Sequence, residues 1–325
     1  MNYVYNRSTK EYEPNSQYGG KALRFLYRTV PGRMLLRLAV SPLVSRINGA
    51  YNRSRFSKGK IEKFIEQYGI SPEDYEQREY SSFADFFIRK RKGIKVEQEK
   101  RVLISPADGK LLVYKVEKDL RLHIKQSDYT LEELVRPTGN PGSRKAVTQA
   151  GTGNRRNGSG EARADADWLD TFRQGYCMVF RLAMEDYHRY CFVDDGSVVG
   201  QYPIKGRLHT VSSISEKHKV YSENCRVINC LKTRNFGEML VIEVGALLVG
   251  KIQNHPVTEF KKGDEKGYFE LGGSTIILLT QSNIAVDEDI LENSRKGIET
   301  KVRYGERIGV KPAETAKKNS GRERT

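Results

Sequence analysis

The sequence is poor in three things, and each shortage removes a class of protein. Its four cysteines, Cys177, Cys191, Cys225 and Cys230, form no Cys-x-x-Cys pair and show no zinc-ligand spacing. They read as reduced, structural thiols in a cytosolic compartment, and no metal is expected. There is no run of about eighteen apolar residues, so no spanning helix is expected. Met1 to Gly20 is polar and rich in Tyr and Asn, unlike a signal sequence. Acidic residues are scarce in one place. Among the first sixty residues Glu11 and Glu13 stand against twelve Lys and Arg, which puts +10 of the total +15 there.

What remains is a chain of 325 residues with 38% hydrophobic and 10% aromatic content, enough for a real core with polar segments left outside it. Residues 61–309 carry about +2 and the last sixteen +3, so a basic arm precedes a near-neutral body. That asymmetry points to an anionic surface as partner, nucleic acid or lipid. Between Lys21 and Asn48, apolar residues alternate with arginines, and Arg24/Arg28 and Arg33/Arg37 share helical faces at i, i+4. Pro31-Gly32 and Ser41-Pro42 divide the segment into short helices. Such helices can lie in a membrane interface, or they can be solvated helices packed on the body. The aromatics form no RNA-binding motif, and nucleic acid is not expected.

Residues 59–92 read as helical, with Ile61, Phe64, Ile65 and Tyr68 at helical spacing. After Lys100 short β-branched runs alternate with Gly and Asp turns: Val102–Ser105, Lys110–Val116, Met178–Leu182, Val198–Tyr202, Met239–Val244, Ala246–Ile252 and Ser274–Thr280. The fold class is therefore α+β, with a basic helical region at 1–99, a β-rich domain at 100–309 and a basic, disordered tail at 310–325. Within the domain, residues 136–167 are almost without apolar side chains and are expected to form a polar, mobile loop.

Four short stretches have chemical content, although each alone reads as structure. Ser105-Pro106-Ala107-Asp108-Gly109 suits a tight turn, and Asp186-Tyr187-His188-Arg189 a strand with a satisfied histidine. Lys262-Gly263-Asp264 suits a β-turn, and Gly272-Gly273-Ser274-Thr275 a loop entering a buried strand. In this order, with Phe83–Arg89, Ile124-Lys125, Tyr129-Thr130-Leu131, Gly206–Val211, Glu223–Arg226, Val244–Gly250, Gly263–Phe269, Gly297–Thr300 and Gly305-Glu306, they resemble the phosphatidylserine decarboxylase family over about residues 80–309.

The resemblance implies a barrel-like or sandwich β domain and a proenzyme that cuts itself between Gly273 and Ser274. A serine hydroxyl can attack the preceding carbonyl, and Gly273, without a Cβ, would permit a strained, close approach. The resulting ester eliminates, and hydrolysis with loss of ammonia leaves a pyruvoyl group derived from Ser274, the only cofactor implied. The implied activity makes phosphatidylethanolamine and CO2 from phosphatidylserine. Fragments 1–273 and 274–325 would stay together as a heterodimer, itself able to dimerise, on the cytoplasmic face of the cell membrane. Serine needs a base and the base an orienting carboxylate. By resemblance the carboxylate is Asp108, and His188 serves the decarboxylation step. Family members carry a second histidine three residues later as the base for the cut, but this chain has Cys191, and a neutral thiol is a poor proton acceptor. His209 is therefore placed ahead of His188 for that role. His123, His218 and His255 read as structural or exposed. The alternative is an inactive or differently specific relative that binds anionic membranes.

Overall fold

A computed structural model describes residues 3–15, 25–39, 42–76, 78–124, 127–136, 168–210, 219–246 and 251–313. Of the expected features, the polar loop from residue 137 to 167, the tail from residue 314, His218, Lys125, Val211 and residues 247–250 lie outside the described residues.

The chain opens with a hairpin that the sequence reading missed, β1 (Tyr3–Asn6) and β2 (Glu11–Pro14). Helices Val30–Ala39, Pro42–Arg53, Lys60–Tyr68 and Phe83–Phe87 follow, so the expected helical stretch at 59–92 is two helices joined by irregular chain. Ser82 starts the last of these by accepting a hydrogen bond from the Asp85 amide at 3.2 Å, which satisfies one exposed donor of the first turn. The β region then runs through β3 (Val102–Ile104), β4 (Gly109–Lys115), β5 (Arg121–Ile124), β6 (Ser127–Thr130), β7 (Tyr176–Leu182), β8 (Arg189–Cys191), β9 (Gly196–Ile204), β10 (Arg226–Thr233) and β11 (Gly237–Val244). It ends with β12 (Lys251–Asn254), β13 (Glu259–Phe260), β14 (Glu265–Glu270), β15 (Ser274–Thr280), β16 (Ala285–Val286), β17 (Glu299–Val302) and β18 (Arg307–Val310), with one helix, Glu288–Arg295, between β16 and β17.

Ten strands form one sheet in the order β13-β9-β10-β11-β15-β7-β4-β17-β1-β2, and three smaller sheets pack around it. The architecture is α+β and sandwich-like, with no closed barrel among the described residues. Every neighbouring pair in the large sheet is antiparallel except β1 with β17. β15 reads Ser-Thr-Ile-Ile-Leu-Leu-Thr, a continuous apolar run rather than an alternating one, because it is buried on both faces between β11 and β7. The main core is built on this central group, from Met178 and Phe180 through Ile242 to Ile276 and Leu278. A second cluster gathers Phe64, Phe83, Phe86 and Phe87 against Leu271, just ahead of β15. The helical region is thereby attached to the turn that precedes Ser274.

Candidate active site

Ser274 is the first residue of β15 and lies opposite Leu182, the last of β7. It is fully buried, and its Oγ has no hydrogen-bond partner. A buried hydroxyl without a partner among the described residues costs free energy; Thr275, Thr280 and Thr300 share that state, and Ser274 is set apart by its place at the head of β15, directly after a reversing turn. The turn before it takes left-handed backbone at Leu271 (φ 58°) and Gly272 (φ 84°). Gly273 is not strained in this way. A Cβ there would come no nearer than 3.4 Å to the Leu182 carbonyl, so the strain expected at Gly273 sits one and two residues earlier, where the chain reverses from β14 into β15.

Asp108 precedes β4, which flanks β7 on the side away from β15. A Cβ on Gly109 would fall 2.9 Å from the Arg181 carbonyl, so glycine is what lets β4 approach β7 here. Asp108 and Ser274 thus stand on either side of the same strand end, two strand spacings or about 10 Å apart. Asp108 is fully engaged. Oδ1 accepts from the Tyr304 amide at 2.8 Å, and Arg91 donates to both oxygens at 3.2 and 2.6 Å. Burial opposes the Arg91 charge, but the Asp108 carboxylate outweighs it and holds the guanidinium above its ordinary range.

His188 reaches the same strand end by way of a tight turn. The Ala183 amide donates to Asp186 Oδ2 at 2.7 Å, and the Asp186 amide donates to the Ala183 carbonyl at 3.1 Å. His188 Nε2 lies 2.9 Å from that carbonyl, which can only accept, so Nε2 carries the proton and Nδ1 keeps its lone pair. Nδ1 is buried and makes no side-chain hydrogen bond among the described residues. The ring packs against Phe87 at a 32° tilt, with centroids 4.4 Å apart. Burial, reinforced by the nearby charge of Arg89, pushes the imidazole down to about 3. Asp186, in the same motif, is pushed by burial up to about 6. The histidine expected to be a satisfied surface residue is buried, neutral and half satisfied.

His209 comes in from the other side. Asn224 grips its backbone twice, at 3.0 and 2.8 Å, and donates to the Gly245 carbonyl at 2.8 Å. Gly245 follows Val244, which pairs with Thr275, so His209 is fixed to the β11 side of Ser274. Its Nδ1 lies 3.3 Å from the Tyr27 hydroxyl, which ties the basic arm to the site. Cys191 lies against the Asp108 turn: its amide donates to the Pro106 carbonyl at 2.8 Å and its Sγ lies 3.8 Å from the Ser105 carbonyl. Burial pushes this thiol up to about 12, so it stays protonated. His123 is exposed and pairs with Asp128, and His255 pairs with Glu265.

Sequence reasoning missed Arg91, Tyr304, Arg89 and a buried pair between Lys266 and Glu243. Arg89 and Arg91 belong to the run Arg-Lys-Arg-Lys, which reads as a solvated face; only burial separates them from their neighbours. Lys266 is held by Glu243, by Asn229 at 2.9 Å and by Asn254 at 2.6 Å, and this pins β14 to β11 just ahead of the turn at Leu271. An alternating Glu-Lys-Gly-Tyr-Phe-Glu strand gives no sign that its lysine points inward.

Comparison with known proteins follows the same lines. The family described as phosphatidylserine decarboxylase matches residues 83–310. Phosphatidylserine decarboxylase proenzyme 2 of Clostridium acetobutylicum is 49% identical over 311 residues, 94% of this chain and 97% of that protein. The phosphatidylserine decarboxylase proenzymes of Clostridium beijerinckii and Clostridium kluyveri are each 35% identical, over 96% and 94% of this chain and 99% and 98% of theirs.

Proposed function

This chain belongs to the phosphatidylserine decarboxylase family, a family of carboxy-lyases, and on that premise we propose that it is a proenzyme that cuts itself between Gly273 and Ser274 and then makes phosphatidylethanolamine and CO2. The observation that carries this reading is the buried, partnerless Oγ of Ser274 at the head of β15. Ser274 attacks the Gly273 carbonyl, moving the acyl group from nitrogen to oxygen. Elimination leaves Gly273 with a free carboxylate, and hydrolysis releases ammonia from the new N-terminus. The pyruvoyl group so formed supplies an electron sink for the electron pair left when CO2 departs.

The rest is done by side chains. We assign His188, buried and neutral, to the decarboxylation step, in which a proton must be delivered to the carbon that lost CO2; its depressed pKa makes it a weak base for the cut itself. His209 is the base of the cut, with His188 its competitor from the opposite side of Ser274. Asp108, fixed by Arg91 and Tyr304, sets the negative charge of the site. Processing time courses of His188→Ala and His209→Ala separate the two histidines: the variant that stays uncut identifies the base.

The arm supplies access to lipid. Val30, Met34, Ile47 and Phe56 are 64–75% exposed on helices and a turn whose charged residues are all arginines, Arg33, Arg37, Arg46, Arg53 and Arg55. No helix among the described residues is long and apolar enough to cross a membrane. We place the protein peripherally on the cytoplasmic face, with these side chains in the interface. The product of the cut is a heterodimer of fragments, able to dimerise in turn.

Gel electrophoresis and mass spectrometry test the proposal. Two fragments, the small one beginning with pyruvoyl at position 274, and CO2 release from phosphatidylserine in mixed micelles are expected. A single band unchanged by Ser274→Ala, or activity on free serine alone, would overturn it. The single band is also what the alternative predicts, an inactive relative suggested by the protonated Cys191.

A further inference from the structure

Arg89 is 1% exposed, and no carboxylate lies within ion-pair distance of it among the described residues. Its one polar side-chain contact is a long one, Nη2 to the Tyr75 hydroxyl at 3.4 Å, and Nε is buried with no partner. Asp85, four residues earlier in the chain, is taken by Arg78 at 2.6 Å and by Ser81. Rings of Tyr75 and Phe86 lie at 4.5 and 4.8 Å from the guanidinium carbon. Cation–π contact through the faces offsets part of the cost of burying this charge, but leaves Nε without an acceptor. Among the described residues the other buried arginines are answered through their in-plane donors: Arg181 by Glu299, Arg189 by Glu265 and the Ile88 carbonyl, and Arg226 by five backbone carbonyl bonds.

The position of this vacant charge is informative. Arg89 lies two residues after Phe87, which packs against His188 and shares a cluster with Leu271, three residues before Ser274. Arg189, next to His188, donates twice to the Ile88 carbonyl, at 2.9 and 2.7 Å, and locks the segment to the site. We propose that Arg89 is the binding residue for the phosphodiester of the lipid substrate, an inference that rests on the decarboxylase reading above. The substrate carries two anionic groups, and the choice between them follows from the chemistry. An arginine on the carboxylate would stabilise the group that must lose its charge as CO2, and so oppose the reaction. On the phosphodiester the same contact is equal in ground and transition states and serves binding alone.

The test uses Arg89→Met, which keeps the volume and removes the charge, and Arg89→Lys. With phosphatidylserine in mixed micelles, Arg89→Met should raise KM at least tenfold with kcat within about threefold, and Arg89→Lys should fall between. The melting temperature should not fall, because no ion pair is lost, while the His188 pKa should rise because the charge that helps depress it is gone. As a readout without turnover, the uncut Ser274→Ala chain should bind glycerophosphoserine and glycerol phosphate by calorimetry but not free serine. Adding Arg89→Met should abolish that binding. An unchanged KM, a lower kcat at unchanged KM, or a lower melting temperature with glycerophosphoserine still bound would overturn the proposal. If inorganic phosphate bound as tightly as glycerophosphoserine, Arg89 would be a general anion site and the lipid assignment would fall. Failure of the wild-type chain to release CO2 while glycerophosphoserine still binds through Arg89 would instead sink the decarboxylase reading and leave the site standing.

Discussion

Arg91 holds both carboxylate oxygens of Asp108, and among the described residues no histidine hydrogen-bonds to that carboxylate. Cys191, three residues after His188, lies against the same turn as a protonated thiol. The charge of the site is therefore balanced by a guanidinium stacked on Tyr187 at 4.6 Å. Arg91→Met would leave the buried Asp108 without a counter-charge. A loss of about 1–3 kcal/mol of stability is expected, less than for a fully buried pair because water reaches Arg91. The time course of fragment formation should slow with it, and Arg91→Lys should recover part of both. Chemical denaturation and a gel time course measure the two. An unchanged processing rate in Arg91→Met would show that Asp108 does not depend on this partner.

How much of this was readable in the sequence depended on which neighbours mattered. Ser274 could be found because it opens a continuous apolar run, and Val113, Phe180 and Ile242 because burial of a central strand leaves a β-branched or aromatic signature. The hairpin Tyr3–Pro14 could not. Its two polar strands are held by a parallel pairing with Glu299–Lys301, nearly three hundred residues away, and no local pattern encodes such a contact. Arg89, Arg91 and Lys266 failed for a related reason. A charged residue reads as exposed until tertiary packing surrounds it. Asn224 was visible only as part of a motif, while its work, joining His209 to Gly245, is visible only in three dimensions.

That hairpin leads to a prediction about the fragments. After the cut, β15 would remain between β11 and β7, β17 between β1 and β4, and β18 beside β3, so each of these small-fragment strands is paired to strands of the large one. Arg7 adds an ionic clasp, with Asp287 at 2.9 Å, Asp289 at 2.7 Å and Glu306 at 3.0 Å, all in the small fragment. The fragments should co-purify and separate only on unfolding. Arg7→Ala should lower the urea midpoint of the cut protein more than that of uncut Ser274→Ala, where the covalent link keeps β15 in place. Equal shifts in the two backgrounds would show that Arg7 is not a clasp.

The exposed face of the arm should be separable from catalysis. Met34→Glu with Ile47→Glu places two charges among the apolar side chains that face water in the free protein, so folding should be little changed. Sedimentation with vesicles containing phosphatidylserine should fall at least severalfold, while the cut between Gly273 and Ser274 proceeds as before. Binding of the unaltered protein should weaken with salt, as expected for a segment of +10 against anionic lipid. Undiminished vesicle binding by the double variant would remove the arm from the interface.

His188 and Asp186 belong to one four-residue motif and should respond to acid with opposite signs. The folded state lowers His188 from 6.5 to about 3, so the unfolded chain takes its proton first. Its contribution is complete above about pH 6.5 and is lost as the pH falls through that window. Asp186 is raised from 3.8 to about 6, so the folded state holds the extra proton, and this site favours folding more as the pH falls from 6 toward 3.8. The His188 window is the wider and should dominate. Between pH 7 and pH 4.5 it removes about 2–3 kcal/mol, and His188→Gln should abolish that part of the acid sensitivity while Asp186→Asn should increase it. Denaturant midpoints at the two pH values measure both. Nitrogen NMR of labelled histidine supplies the direct check: His188 should remain the neutral Nε2–H tautomer from pH 8 to pH 5. A titration of this ring near 6.5 would mean that water and protons reach it freely, and the assignment of Nδ1 as a buried, ready proton acceptor would fail.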